Sequence, residues 1–408
     1  MHNRIAVIGG GPAGMMAAAT AGYLGKEVVL FEKNNKLGKK MFITGKGRCN
    51  ITNAGEVESI IENIVANKSF LYSAFYSFTN NDIVDLLKTY GVNTKIERGN
   101  RIFPVSDKSS DVIKALEKYL NHEKVKIVLN AEVKSLAKLA DGSFRIGFTG
   151  LKDEYFSKVI IATGGVSYPQ TGSTGDGYNF AKSLGHFIAD LRPALIPCEI
   201  KEKWVKELQG LSLKNVKISA FIDSKKIFED FGELLFTHYG ISGPIVLTMS
   251  SYINKYYGNN IKIIIDLKPA LSNEKLEMRI LRDFEKYSKK LFKNSLDDLF
   301  PKKIIPIIIK LSNIDEEKCV NQITREERKG LVDLIKNLEM SFSDFRPIDE
   351  AIITSGGIST LEINSSTMES KIISGLFFAG EIIDVHALTG GYNLQIAYST
   401  GYLSGFNC

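Results

Sequence analysis

The chain has 408 residues, enough for two or three domains, and its 44% hydrophobic and 24% charged residues are an ordinary globular composition that excludes a disordered or low-complexity protein. Four scattered cysteines, Cys49, Cys198, Cys319 and Cys408, form no C-x-x-C, which excludes a zinc ribbon or dithiol motif and suits a cytoplasmic protein. The net charge of +6 gathers in residues 253–336, where 18 Lys/Arg face 13 Asp/Glu; such a run is a solvated helix face or a nucleic-acid patch.

Residues 5–8 form a short apolar run suited to a buried parallel strand. Gly9, Gly11 and Gly14 follow as G-x-G-x-x-G, serving in turn the tight turn, the approach of a pyrophosphate and close helix–strand packing. Pro12 suits a first helical turn, whose free N–H groups and dipole favour a phosphate. An alanine-rich helix ends near Gly25, residues 28–31 make a second strand, and Glu32 stands where a carboxylate accepts from the hydroxyls of an adenosine ribose. Because residues 5–25 are uncharged, a leader or membrane span competes with this reading. Six glycines and a proline in that stretch are poor material for a span, and only β-α-β explains Glu32.

Residues 34–53 are read as an irregular loop in which Gly38, Gly45 and Gly47 alternate with Lys36, Lys39, Lys40, Lys46 and Arg48. Backbone N–H groups among cations suit a phosphate or an electron-rich ring edge. Cys49 lies in this loop with no base beside it in sequence. Helices are expected at 81–90 and 110–120, with a loop at 101–104 between them and a strand at 125–129 after them. A small antiparallel ribbon is expected over 131–136, 144–148 and 154–157, turning at Asp141-Gly142. Residues 159–162 are a buried strand running into Thr163-Gly164-Gly165, with a helix from near Asp176.

Composition changes near 190. Residues 192–252 alternate in β fashion, and 231–250 reads as a strand, a glycine turn and a helix opened by Pro244. Residues 253–336 read as mostly helical and basic, with Leu331, Leu334, Ile335 and Leu338 as an apolar stripe. Strand-turn patterns return at 351–355 and 375–380, and Gly390-Gly391 opens a last helix, a further anion-binding arrangement.

The chain resembles the BaiN/YhiN-type flavoproteins, the aminoacetone oxidase family of FAD-binding enzymes, nearly end to end. The resemblance rests on GGGPAG (9–14), KLGKKMFITGKGRCNITN (36–53), ATGGVSYPQTGSTGDGY (162–178), LLFTHYGISGP (234–244), TMESK (367–371) and GLFFAGEIIDVHALTGGYNLQIAYSTG (375–401). One departure is Val385-His386-Ala387, where the family pattern has Asp or Gly. The resemblance implies an α/β fold: a Rossmann-like FAD-binding domain with an inserted β-barrel-like domain and a helical domain inserted in the barrel. With the composition breaks, this places the FAD-binding domain at 1–190 and 371–408, the barrel at 191–252 and 337–370, and the helical insert at 253–336.

By the same resemblance, Gly9, Gly11, Pro12, Ala13 and Gly14 hold the FAD pyrophosphate and Glu32 the ribose. Lys33, Lys39, Gly47, Arg48, Cys49 and Asn50 line the cofactor, and Val133 meets adenine through its backbone. Ala162, Thr163 and Gly164 cover the ADP half. Gly380 and Glu381 hold the ribityl-phosphate region, and Gly391, Tyr392, Asn393 and Leu394 sit at the isoalloxazine. The expected function is an FAD-dependent oxidoreductase moving hydride between flavin N5 and a small organic substrate. No second G-x-G-x-x-G is present, so NAD(P)H as donor is expected to dock directly at the flavin. The alternatives are an oxygen-using oxidase of a small amine or aminoketone, and an RNA-binding flavoprotein that uses the basic insert. No metal and no membrane partner are expected. His386, between two motifs expected to touch FAD, is the candidate proton carrier, with Tyr168 and Arg101 behind it.

Overall fold

The apolar runs assemble, in the computed structural model, which describes residues 4–408, into a five-stranded parallel sheet. Its order is Leu376–Phe378, Lys158–Ile161, Arg4–Ile8, Glu27–Phe31 and Lys126–Val128. Alternation within each strand feeds two cores. Ile5, Val7, Val28, Leu30, Ile160 and Phe377 enter one, and Ala6, Ile8, Val29, Phe31, Ile161 and Phe378 the other. Burial on both faces is why these strands read as unbroken apolar runs.

The helix Pro12–Tyr23 packs on the first face with Ser109–His122 and Tyr392–Asn407. Gly401 and Gly405 let the last helix close on the first: a Cβ at either would lie 2.4 Å from Ala13 O or 2.3 Å from Ala17 O. The second face meets the expected ribbon, whose order is Glu154–Phe156, Phe144–Phe148, Val133–Lys138.

The chain divides into two compact units, one running to Ala194 and resuming over Pro347–Cys408, the other Leu195–Arg346. The second holds a closed six-stranded barrel in the order Cys198–Ile200, Gly240–Ser242, Lys225–Phe236, Ser212–Ile222, Ile261–Asp266 and Leu338–Phe345. Its helices include Asn273–Lys286, Ile305–Ser312 and Arg325–Lys336, and Leu331, Val332 and Ile335 are buried. No described helix is long and apolar enough to cross a membrane.

Several elements differ from the sequence reading. Residues 261–266, expected in the helical insert, are a barrel strand that buries Ile261, Ile263 and Ile265 in alternation; the basic composition around them hid a period of two. Residues 347–370, expected with the barrel, belong to the first unit, where Ile353–Ile358 pairs with Ile188–Ala194. The stretch 101–104 is a strand rather than a loop, too short to display a period. The stretch 34–53 is also not wholly irregular. A helix runs over Lys39–Gly47 from a left-handed Gly38 and is broken at Thr44, Gly45 and Lys46, the latter two left-handed.

Candidate functional site

The glycine turn is built as its spacing requires. Gly9 has φ +107°, and a Cβ there would stand 2.5 Å from Ala162 O. A Cβ on Gly14 would stand 1.9 Å from Gly9 O, so only glycine lets the helix start this close to the strand. At Gly11 an added Cβ meets nothing within 4 Å, because that position faces open space. No side chain caps the helix Pro12–Tyr23, and Pro12 occupies its first turn. An uncapped start beside a glycine without a side chain is a place for an anion.

A cavity of about 1350 Å³, part of it open to solvent, extends from this turn within the first unit. Gly9, Gly11, Pro12 and Ala13 line it, as do Glu32, Lys33 and Lys39. Val133, Ala162, Thr163 and Gly164 line it too, with Gly380, Glu381, Asn393 and Leu394. These positions come from both chain ends and include every motif in which a cofactor contact was expected, apart from residues 47–50.

Glu32 is held in place by its neighbours. Oε2 accepts from the Gly10 N–H at 2.7 Å; Oε1 accepts from the Asn34 N–H at 2.8 Å and from Asn34 Nδ2 at 2.6 Å. A carboxylate keeps further lone pairs for incoming hydroxyls. Lys39 Nζ donates to Asn34 Oδ1 at 2.8 Å, and Lys33 pairs with Asp176 at 2.6 Å.

Gly14, Gly47, Arg48, Cys49, Asn50, Gly391 and Tyr392 do not reach the cavity wall. Arg48 Nη1 binds Glu97 at 2.8 Å, and its guanidinium lies 4.2 Å from the centre of the Phe103 ring. Cys49 is wholly buried, and burial pushes its thiol up to about 12, which disfavours the thiolate that a nucleophile requires. With its amide oriented to satisfy both ends, Asn50 accepts from the Gly391 N–H at 2.9 Å and thus ties this loop to the start of the last helix. Tyr392 OH accepts from Asn53 Nδ2 at 3.3 Å.

None of the three candidate proton carriers lines the cavity. His386 is 2% exposed on a two-residue strand paired with Ala66 and Ile64, off the cavity wall. Neither ring nitrogen has a partner among the described residues, and burial pushes its pKa down to about 4. A neutral imidazole in that position does not supply a proton at pH 7 as the sequence reading expected. Tyr168 is half-buried with φ +52°, and Arg101 Nε donates to Arg98 O at 2.9 Å; neither lines the cavity.

Sequence reasoning missed Lys40. On the cavity wall its Nζ donates to Glu381 Oε2 at 2.7 Å and to Ser167 Oγ at 2.7 Å. Glu381 Oε1 also accepts from the Thr354 N–H at 2.8 Å and from Ser167 Oγ at 3.1 Å. Lys39 and Lys40 are adjacent in a basic loop and both line the cavity, and only the helical turn decides which of them meets Glu381. Among the described residues no cluster of His, Cys, Asp or Glu is arranged to hold a metal ion.

Residues 3–407 match the family described as the HI0933-like protein Rossmann domain. The chain belongs to that family. Two relatives agree with it along almost their whole length. It is 32% identical over 407 residues to the 3-dehydro-bile acid delta(4,6)-reductase of Clostridium scindens, covering 99% of this chain and 98% of the relative. It is 33% identical over 400 residues to the ribosomal RNA dihydrouridine synthase of Haemophilus influenzae, covering 97% and 96%. Among solved structures, a flavocytochrome c3 fumarate reductase in its open conformation matches with a TM-score of 0.52 at 16% identity, covering 99% of this chain and 78% of that one. The HI0933-like chain therefore has the Rossmann-type FAD-binding fold that its glycine turn announces, with a closed barrel in its second unit.

Proposed function

We propose that the protein is an FAD-dependent oxidoreductase that saturates a carbon–carbon double bond conjugated to a carbonyl group, with NAD(P)H as electron donor. The observation that carries the flavin part is the cavity, lined from both chain ends and opening on an uncapped helix start beside Gly11. The substrate class is supported by what the two relatives' names share. A 3-oxo-Δ4,6 bile acid and a uracil ring both present a C=C bond conjugated to C=O.

Bound FAD supplies hydride at N5. The residues of this chain bind and orient. The 9–14 turn would receive the pyrophosphate, and Glu32, pre-set by Gly10 and Asn34, the ribose hydroxyls. Val133 and Ala162–Gly164 would flank the ADP half; Gly380 and Glu381 would hold the ribityl side. Asn393 and Leu394, in the first turn of the last helix, would present its positive end to the ring. Asn393 is fixed for this by accepting from the Ala387 N–H at 2.9 Å and donating to Ala387 O at 2.8 Å.

The test is anaerobic mixing of the yellow protein with NADH or NADPH, followed by a 3-oxo-Δ4,6 steroid or a uracil nucleotide. The flavin band should bleach with the nicotinamide and return on adding the unsaturated compound. Return only in air, or bleaching by an aminoketone alone, would establish the oxidase alternative.

A further inference from the structure

The cavity wall of the first unit carries six charged side chains: Glu32, Asp176 and Glu381 against Lys33, Lys39 and Lys40. The wall therefore has no net charge, although the cofactor proposed for it carries a negative charge on each phosphate. Ion pairing divides these groups. Lys33 is taken by Asp176 at 2.6 Å and Lys40 by Glu381 at 2.7 Å. Glu32 and Lys39 make no ion pair among the described residues. Asn34 stands between them, donating to Glu32 Oε1 at 2.6 Å and accepting from Lys39 Nζ at 2.8 Å.

Glu381 is the acid worst placed for an incoming anion. It follows Gly380, where an added Cβ would stand 2.7 Å from Ala13 Cβ, so the residue lies beside the 9–14 turn. Its side chain is only 14% exposed, and water screens its charge little. The Thr354 N–H and the Ser167 hydroxyl hold its carboxylate in place, but both are neutral. Among the described residues only Lys40 brings it a compensating charge, and Lys40 is itself steadied by donating to Ser167 Oγ at 2.7 Å. Lys39 cannot stand in, because its ammonium is turned to Asn34.

We propose that Lys40 is the positioning residue that lets this wall accept a phosphate-bearing flavin: it cancels the charge of Glu381, which would otherwise repel the pyrophosphate. The inference rests on the reading of the cavity as the FAD site. Like charges in a medium of low dielectric oppose each other strongly, whereas a flavin without phosphate meets no such barrier. Lys40 acts through Glu381, so the effect requires no contact between Lys40 and the cofactor.

The test is titration of FAD, and of riboflavin as the flavin without phosphate, into deflavinated full-length protein at low salt, read by flavin fluorescence. Far-UV circular dichroism confirms that each variant is folded. Lys40→Met should bind FAD about 100-fold less tightly than wild type, and riboflavin about equally. Lys40→Met/Glu381→Gln should recover at least about tenfold of the loss, because the uncompensated charge is gone. The gap between Lys40→Met and wild type should narrow as salt is raised. Wild-type FAD affinity in Lys40→Met overturns the proposal, and so does a double variant that binds FAD no better than Lys40→Met. An equal loss of riboflavin and FAD overturns it as well, since it would make the role of Lys40 one of packing. In each of these cases wild type still takes up FAD, and the reading of the cavity stands. Wild type that takes up no FAD overturns that reading and this inference with it.

Discussion

Lys40 and Glu381, 341 residues apart, meet on the cavity wall with Nζ 2.7 Å from Oε2 and 3.0 Å from Oε1. Their side chains are only 21% and 14% exposed, so neither charge is well solvated alone. Removing one partner leaves the other half-buried and uncompensated. Lys40→Met should therefore cost the apoprotein about 2–3 kcal/mol in urea unfolding. Lys40→Met/Glu381→Gln should recover at least about 1 kcal/mol of that, a coupling expected of groups in direct contact. Strict additivity of the two single changes would mean that the pair does not hold these chain ends together.

Gly11 and Gly14 should fail in different ways. An added Cβ at Gly11 meets nothing within 4 Å, whereas at Gly14 it would stand 1.9 Å from Gly9 O. Gly11→Val should fold with an apoprotein Tm within a few degrees of wild type and retain no FAD, because its side chain enters the space proposed for the pyrophosphate. Gly14→Val should misfold outright. Flavin absorbance and thermal melting distinguish the two. A yellow Gly11→Val protein would move the pyrophosphate elsewhere.

The sequence displayed the sheet and the turn because both depend on local signals: runs buried on two faces, and glycines whose spacing is set by backbone geometry. The strand Ile261–Asp266 was obscured because its neighbours are basic and helical, and closure of the barrel depends on a partner some 75 residues away, Leu338–Phe345. At the site, Glu32 was legible from its distance to the glycines. Its clamp by Asn34 depends on the bend just after the strand, and the choice of Lys40 over Lys39 for Glu381 depends on the direction in which a helical turn points its side chains. Cys49 misled for the same reason, since a basic loop in sequence became a buried residue with φ +61° in the fold.

Thiol chemistry offers a simple check. Cys49, Cys198 and Cys408 are buried, and burial holds Cys49 and Cys408 near about 12; Cys319 is partly exposed. Iodoacetamide at pH 8 should label Cys319 first, with the other three reacting only on unfolding, as read by peptide mass spectrometry. Rapid labelling of Cys49 in the folded protein would restore it as a reactive group.

His386 sets a pH dependence whose sign follows from its burial. Its pKa falls from 6.5 to about 4 because the charged form is desolvated, with the Glu381 charge opposing. Between those two values the unfolded chain binds a proton at this residue and the folded chain does not. Stability therefore rises with pH across that window. The burial of His386 is thus a penalty on folding that is absent above about pH 6.5 and grows as pH falls to about 4, where from the shift it amounts to roughly 3 kcal/mol. His386→Leu removes it. In apoprotein, studied without FAD so that ligand mass action does not enter, the variant should equal or exceed wild type at pH 7, since two unpartnered polar atoms are gone. Its advantage should grow by about 2–3 kcal/mol on going from pH 7 to about pH 4.5. His186 is also lowered by burial, but it is present in both proteins and cancels in the difference. Urea unfolding at four pH values gives the difference curve. A difference that stays constant with pH would mean that the imidazole titrates alike in the folded and unfolded chain, and the case against it as a proton carrier would fall with that result.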